Sequence, residues 1–255
     1  MLNSQLIALS WQSALQRELD VVSNNIANIN TTGYKTDNSA FNEYLMPGAT
    51  ANQFAEPDRR LSFVQDRKTW HDFSQGPFQT TGAPLDVAID GEGFFTVQTQ
   101  RGERYTRNGA FQLNNNGELV TSAGDPVIGE SGPITLQTTD RDIVITRDGT
   151  VKVREGLSLT SDSTRGKLRL VTFANPQSLR KDGTSMFSVP AGTQPQPVAS
   201  PNIVQGAIEK SNVRAVFEMT RMIEVTRSYT EVATMIAQQS ELHRNAIQQL
   251  ADVPA

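Results

Sequence analysis

Few residues in this chain have a type and spacing that could do chemistry. Asp90-Gly91-Glu92-Gly93 has the small residues of a phosphate-cradling turn. It is only Gly-x-Gly, and Phe94-Phe95-Thr96-Val97 continues it as a strand where a phosphate loop would open a helix, so a tight turn is expected. Asp86 and Asp90 could form a carboxylate pair or bind Ca²⁺, but their surroundings lack EF-hand spacing. His71 follows Trp70 and has no evident partner. His243 falls on an apolar helix face, where a packed or interface histidine is expected before a ligand. No Gly-x-Ser-x-Gly or His-Glu-x-x-His pattern occurs. Cysteine is absent, which removes disulfides, thiolate nucleophiles and cysteine metal sites. The expectation is a protein with no catalytic residues, no cofactor, no metal and no small-molecule substrate.

Asn24, Asn25 and Asn28 form the polar set with a positional argument. Asparagine is a poor helix former, and here three crowd into a turn and a half near a helix end. One reading is ordinary polarity beside a helix stop. The favoured reading is buried amides that fix register between helices, as a polar core position does in coiled coils.

Two helices must position these residues. Residues 5–30 read as the first, with Ala8, Trp11, Leu15, Leu19, Val22, Ile26 and Ile29 spaced by three and four on one stripe. Thr31-Thr32-Gly33 stops it, because glycine enters the left-handed conformation at little steric cost. Residues 211–250 contain neither Gly nor Pro and read as a second helix, capped by Ser211 or Asn212. Ala215, Met219, Met222, Thr226, Tyr229, Ala233, Ile236, Ser240, His243, Ile247 and Leu250 make a heptad seam. A second line runs through Val225, Val232, Met235, Leu242 and Ala246, and two seams need more than one neighbour. Such a helix is roughly 60 Å long, more than one compact domain needs.

Residues 76–201 instead show short β runs between turns. Asn116-Gly117 and Asp148-Gly149 are hairpin signals between apolar runs, and Gln100-Arg101-Gly102 separates another pair. Residues 167–173 read as one more strand, and residues 190–201, with Pro190, Gly192, Pro195, Pro197 and Pro201, as loop. Residues 36–75 show no firm period and read as a connector ordered on assembly. The expected fold class is α+β. Long N- and C-terminal helices pack as a coiled-coil-like stalk (1–35 and 206–255), joined by the connector (36–75) to an all-β domain (76–205).

With 23 basic and 27 acidic residues the net charge is −4 and no basic face is clustered, so neither nucleic acid nor an anionic membrane is an expected partner. No apolar run is long enough to span a bilayer. Met1-Leu2-Asn3-Ser4-Gln5 lacks the basic and apolar regions of a secretory signal. That suggests a cytoplasmic chain, or one exported without a cleaved signal. An apolar stripe left over on the longer helix marks an interaction surface. An asymmetric surface of that kind joins copies head to tail into a helix.

Several segments carry a family resemblance. Ser23-Asn24-Asn25-Ile26-Ala27-Asn28-Ile29-Asn30-Thr31-Thr32-Gly33-Tyr34-Lys35 closely resembles the N-terminal signature of the bacterial flagellar rod and hook proteins. Thr81 to Phe95, Tyr105-Thr106-Arg107-Asn108-Gly109-Ala110-Phe111 and Gly117-Glu118-Leu119-Val120-Thr121 resemble their β domain. Gln205-Gly206-Ala207-Ile208-Glu209-Lys210-Ser211-Asn212-Val213, with Met219, Met222, Ile223 and Tyr229, resembles the C-terminal signature. The order and spacing match along essentially the whole chain. Within the family, Leu61-Ser62-Phe63-Val64-Gln65-Asp66 is similar to proximal rod members, and the connector lacks the glycine-containing insertion usual in distal ones.

The resemblance implies a structural subunit of the proximal rod that transmits torque from motor to hook and forms part of the export-channel wall. It implies export through the flagellar type III apparatus without a cleaved signal and assembly in the periplasm. The implied partners are copies of itself and axial rod proteins of the FlgG, FlgB and FlgC types. Assembly and helix packing then fall to Asn24, Asn25, Ile26, Asn28, Gly33 and Tyr34, and to Ser211, Asn212, Met219, Met222, Ile223, Tyr229, Ile236, Leu242 and Ile247. The alternatives are a distal rod or hook subunit and, from another class, a secreted carbohydrate-binding β protein. The last would need an aromatic groove with paired carboxylates.

Overall fold

The computed structural model describes residues 2–45, 62–137, 139–155 and 162–251. It is α+β, with one long helix at each end and a β-rich region between them. The chain forms two compact units. One comprises Met1–Ala27, Asp37–His71 and Arg214–Ala255; the other comprises Asn28–Thr36 and Asp72–Val213.

In the helical unit, α1 (Leu2–Ala27) packs along α2 (Ala215–Ala251). Ala8, Leu15 and Val22 are buried at seven-residue intervals, as the stripe predicts, with Ala14 and Asn25 beside them. Trp11 is 48% exposed and does not join them. The helix stops at Ala27, three residues before the expected end. There the Asn28 carbonyl accepts from Thr31 N–H at 3.1 Å, and Thr31 Oγ1 donates to Asn28 Oδ1 at 3.0 Å, closing a turn.

On α2 the shielded face follows the expected seam from Tyr229 through Ala233, Ile236 and Ser240 to His243, and departs from it in the first turns and at Ile247. It starts at buried Glu218 and Val225 and continues through half-buried Tyr229, Val232, Ile236 and His243, whereas Met219, Met222 and Ile247 are exposed. Counting apolar residues displaced the start of the face because its first turns are polar: Glu218 and Arg221 meet Asn25 and Glu18 of α1. The helix also begins four residues later than expected, at Ala215 rather than Ser211. The side chain of Leu250 lies outside the described residues.

The expected connector carries two long strands, Thr36–Leu45 and Ser62–Asp72, paired in a two-stranded sheet. Asp37, Asn38, Asn42 and Glu43 interrupt the alternation in the first and Asp66, Arg67 and Lys68 in the second, so little β signal survives in the sequence. Residues 46–61 of that connector lie outside the described residues.

The β-rich unit contains the three expected hairpins: Phe94–Thr99 with Gly102–Thr106, Gln112–Leu113 with Leu119–Val120, and Asp140–Ile145 with Thr150–Glu155. The single strand expected at 167–173 is instead the end of Asp162–Lys167 and the whole of Leu170–Thr172, which belong to different sheets. Leu168, fully buried between them, makes an isolated bridge to Gly129. The proline-rich loop contributes Gln196–Pro197 to the six-stranded sheet, at its edge, where a missing N–H does least harm. The main core gathers Val87, Ile89, Phe95, Val97, Phe111, Leu119, Val151, Leu168 and Ile203; a second collects Phe94, Tyr105, Phe173 and Phe187.

Candidate assembly site

Segments far apart in sequence converge inside the β-rich unit. The chain enters it at residues 28–36, where Gly33 has φ +69 and its N–H donates to the Glu209 carbonyl at 2.8 Å. A Cβ at Gly33 would lie 2.3 Å from the Asn108 nitrogen, so this backbone fits only as glycine. Gly33→Ala is therefore expected to destabilise the β-rich unit by about 2 kcal/mol or more, read as a lowered thermal midpoint. Tyr34 is fully buried, and Lys181 Nζ sits 3.8 Å above its ring centroid, a cation–π contact.

Next to Tyr34, Lys35 is buried with its Nζ 2.6 Å from Glu209 Oε1 and 2.6 Å from the Ser74 carbonyl. Glu209, at 0% exposure, also accepts from Gly76 N–H at 2.9 Å, and its Oε2 faces Arg107 Nε at 3.0 Å as an ion pair. Arg107 spends its remaining nitrogens on the carbonyls of Gly93 (2.7 Å) and Gly91 (2.8 Å). The Asp90-Gly91-Glu92-Gly93 segment is thus a turn that points carbonyls at a buried guanidinium, which suits a cation and repels a phosphate. Burial lowers the pKa of Lys35, with the Glu209 charge opposing it, and Arg107 is lowered for the same reason. Two cations share one carboxylate, so Glu209 compensates the desolvation of both.

Asn212 sits nearby in the same unit. Its Oδ1 accepts from Thr36 N–H (2.9 Å) and Thr36 Oγ1 (2.7 Å), and its Nδ2 donates to the Asp72 carbonyl (2.8 Å). One amide thereby ties together three points at which the chain enters or leaves the unit. Ser211 is buried, and its Oγ accepts from Val213 N–H at 3.2 Å. Neither residue caps α2, because both side chains are committed here.

In the helical unit Asn25 does the corresponding work. Its Nδ2 donates to the Asp37 carbonyl (2.8 Å) and its Oδ1 accepts from Asp37 N–H (3.0 Å), so the amide mimics a strand neighbour. Nδ2 also lies 3.3 Å from Glu218 Oε2. His71, without an evident partner in the sequence, has Nδ1 2.6 Å from Asp37 Oδ1. Arg221 Nη2 pairs with Glu18 Oε1 at 2.9 Å. The three asparagines separate: Asn25 is buried in the helical unit, Asn28 in the turn of the β-rich unit, and Asn24 is exposed. Ile26 is half-buried.

The other sequence-derived positions lie along α2. Met219, Met222, Ile223, Leu242 and Ile247 are exposed, with Ile223 at 70%, while Tyr229 and Ile236 are half-buried. Val216 and Phe217 add to this surface at 80% and 62% exposure. A solitary helix has no reason to carry so many large apolar groups in water. Lys35, Arg107 and Glu209 were not singled out from sequence, although each stands within a segment that carried the resemblance. Among the described residues, no group of three or more His, Asp or Glu is placed to hold a metal, and no helix is long and apolar enough to cross a membrane.

Known families match all three regions. Residues 6–35 match the flagella basal body rod protein family, residues 88–153 the flagellar hook protein FlgE/F/G D1 domain, and residues 204–249 the flagellar basal body rod FlgEFG protein C-terminal family. The flagellar basal-body rod protein FlgF of Caulobacter vibrioides is 39% identical over 98% of this chain and 99% of its own length. FlgF of Mesorhizobium japonicum is 34% identical over 98% of both chains. The flagellar basal-body rod protein FlgG of Bacillus subtilis is 32% identical over 95% of this chain and 97% of its own.

Proposed function

Because this chain belongs to the flagellar basal-body rod protein family and is a structural subunit of that rod, we propose that it builds the proximal rod through its terminal helices and carries torque from motor to hook. The observation that carries this reading is the set of large apolar residues exposed along α2, which neighbouring subunits would cover. In the rod, α1 and α2 form the stalk, packed coiled-coil-like with neighbouring helices and lining part of the export channel. The β-rich unit, to which Asn28–Thr36 and Asp72–Val213 belong, forms the β domain, and the strands Thr36–Leu45 and Ser62–Asp72 lie in the connecting stretch 36–75. Asn24, Asn25, Ile26, Asn28, Gly33, Tyr34, Ser211, Asn212 and the α2 residues Met219 to Ile247 serve this packing, some by fixing the helix roots and some by meeting neighbours.

The neighbours are further copies and rod proteins of the FlgG, FlgB and FlgC types. The chain reaches the periplasm through the flagellar export apparatus without losing a signal peptide. Its helices complete their order on assembly, because the large apolar residues left exposed on α2 are covered only there. The end-to-end likeness to FlgF chains supports a proximal position over a distal one.

Ile223→Asp with Leu242→Asp tests the reading. Both side chains are exposed in the single subunit, so the variant should melt as the parent does. It should fail to enter rods and leave cells non-motile. Normal swimming by this variant would remove the α2 surface from assembly.

A further inference from the structure

The N-terminal signature segment belongs structurally to the β-rich unit, not to the helix that precedes it. Gly33 N–H bonds the Glu209 carbonyl, and Thr36 is held by Asn212. Between them the Lys35 ammonium is plugged beneath the surface against Glu209 and the Ser74 carbonyl, at 2.6 Å from each. These contacts need no neighbouring subunit, because every partner is supplied by the same unit.

We infer that Lys35 is a positioning residue, which locks residues 28–36 onto the β-rich unit in the unassembled chain and so fixes the root of α1 before either helix meets a neighbour. The inference rests on the reading that the helices order on assembly, and it places the boundary of that ordering. Order in the free subunit then covers the described residues of Asn28–Thr36 and Asp72–Val213. A subunit arriving at the growing rod then has both helix roots anchored, since the C-terminal root at Ser211-Asn212-Val213 is held in the same unit. Lys35 suits this task because it can be removed without wrecking its surroundings: Glu209 keeps Arg107 and Gly76 N–H.

Hydrogen–deuterium exchange on the purified full-length chain tests the lock. Peptides covering 28–36 should exchange as slowly as those covering Phe94–Thr99, while α1 exchanges fast. In Lys35→Met, exchange of 28–36 should rise by about tenfold or more with Phe94–Thr99 unchanged. Lys35→Arg, which keeps a cation, should restore part of the protection. Fast exchange of 28–36 in the parent chain, or equal exchange in parent and Lys35→Met, would overturn the inference. So would loss of protection throughout the β-rich unit in Lys35→Met, since Lys35 would then hold up the whole core. Protection of α1 in the free chain would sink the assembly-coupled reading instead. The lock would still be judged by the difference between parent and variant at 28–36.

Discussion

Glu209→Gln is expected to lower the thermal midpoint of the β-rich unit by roughly 10 °C, about 3–5 kcal/mol, the cost of stranding a buried charge. The isosteric amide keeps the volume and can still accept from Gly76 N–H. It leaves Lys35 and Arg107, both buried, with no negative charge between them. Lys35→Met should cost much less, because Arg107 still balances Glu209. The comparison separates charge compensation from packing: equal losses for the two variants would mean that the cluster acts by filling space. Calorimetry or circular dichroism of the purified chain reads both. In cells, Glu209→Gln should leave little folded subunit to export or assemble, whereas Lys35→Met should supply normal amounts.

Asn25→Leu is the second large effect, and it falls on the helical unit. Leucine fills similar space but strips Asp37 of partners for its N–H and carbonyl and leaves Glu218 without the amide donor. Each buried group left unsatisfied costs about 1–3 kcal/mol, so the root of the helical unit should come apart. The β-rich unit does not depend on Asn25 and should melt at its usual temperature. The expected picture is a soluble, exportable subunit that does not complete a rod, seen as loss of swimming in soft agar with normal protein levels. Full motility would show that the contact is dispensable in the assembled rod.

Both clusters bear on what can be read from a sequence. The hairpins around Asn116-Gly117 and Asp148-Gly149 were legible because their turn residues demand special backbone angles and apolar runs flank them. The long helices were legible from periodicity, and so was the inward face of α2 from Tyr229 to His243, but not its start. Its first turns use Glu218 and Arg221, which a count of apolar residues assigns to solvent. Thr36–Leu45 and Ser62–Asp72 were missed for a related reason: their pairing is supported by Asn25 and His71 around Asp37, not by alternating β-branched residues. Lys35, Arg107 and Glu209 were the least legible. A charged side chain alone reads as exposed, and only the fold brings these three together. The remaining trace was that each sits in a different segment of the family resemblance.

The single amide of Asn212, which holds Thr36 and Asp72 at the point where the chain leaves the unit, has a consequence for how such chains can diversify. Entry and exit of the β-rich unit are stitched at one spot, so everything between residues 72 and 212 behaves as a cassette with its two ends together. Insertions and deletions at its hairpin tips leave the stitched ends where they were. A lineage can therefore lengthen, shorten or resurface the cassette to suit a different envelope while keeping the same pair of helices and the same stitch.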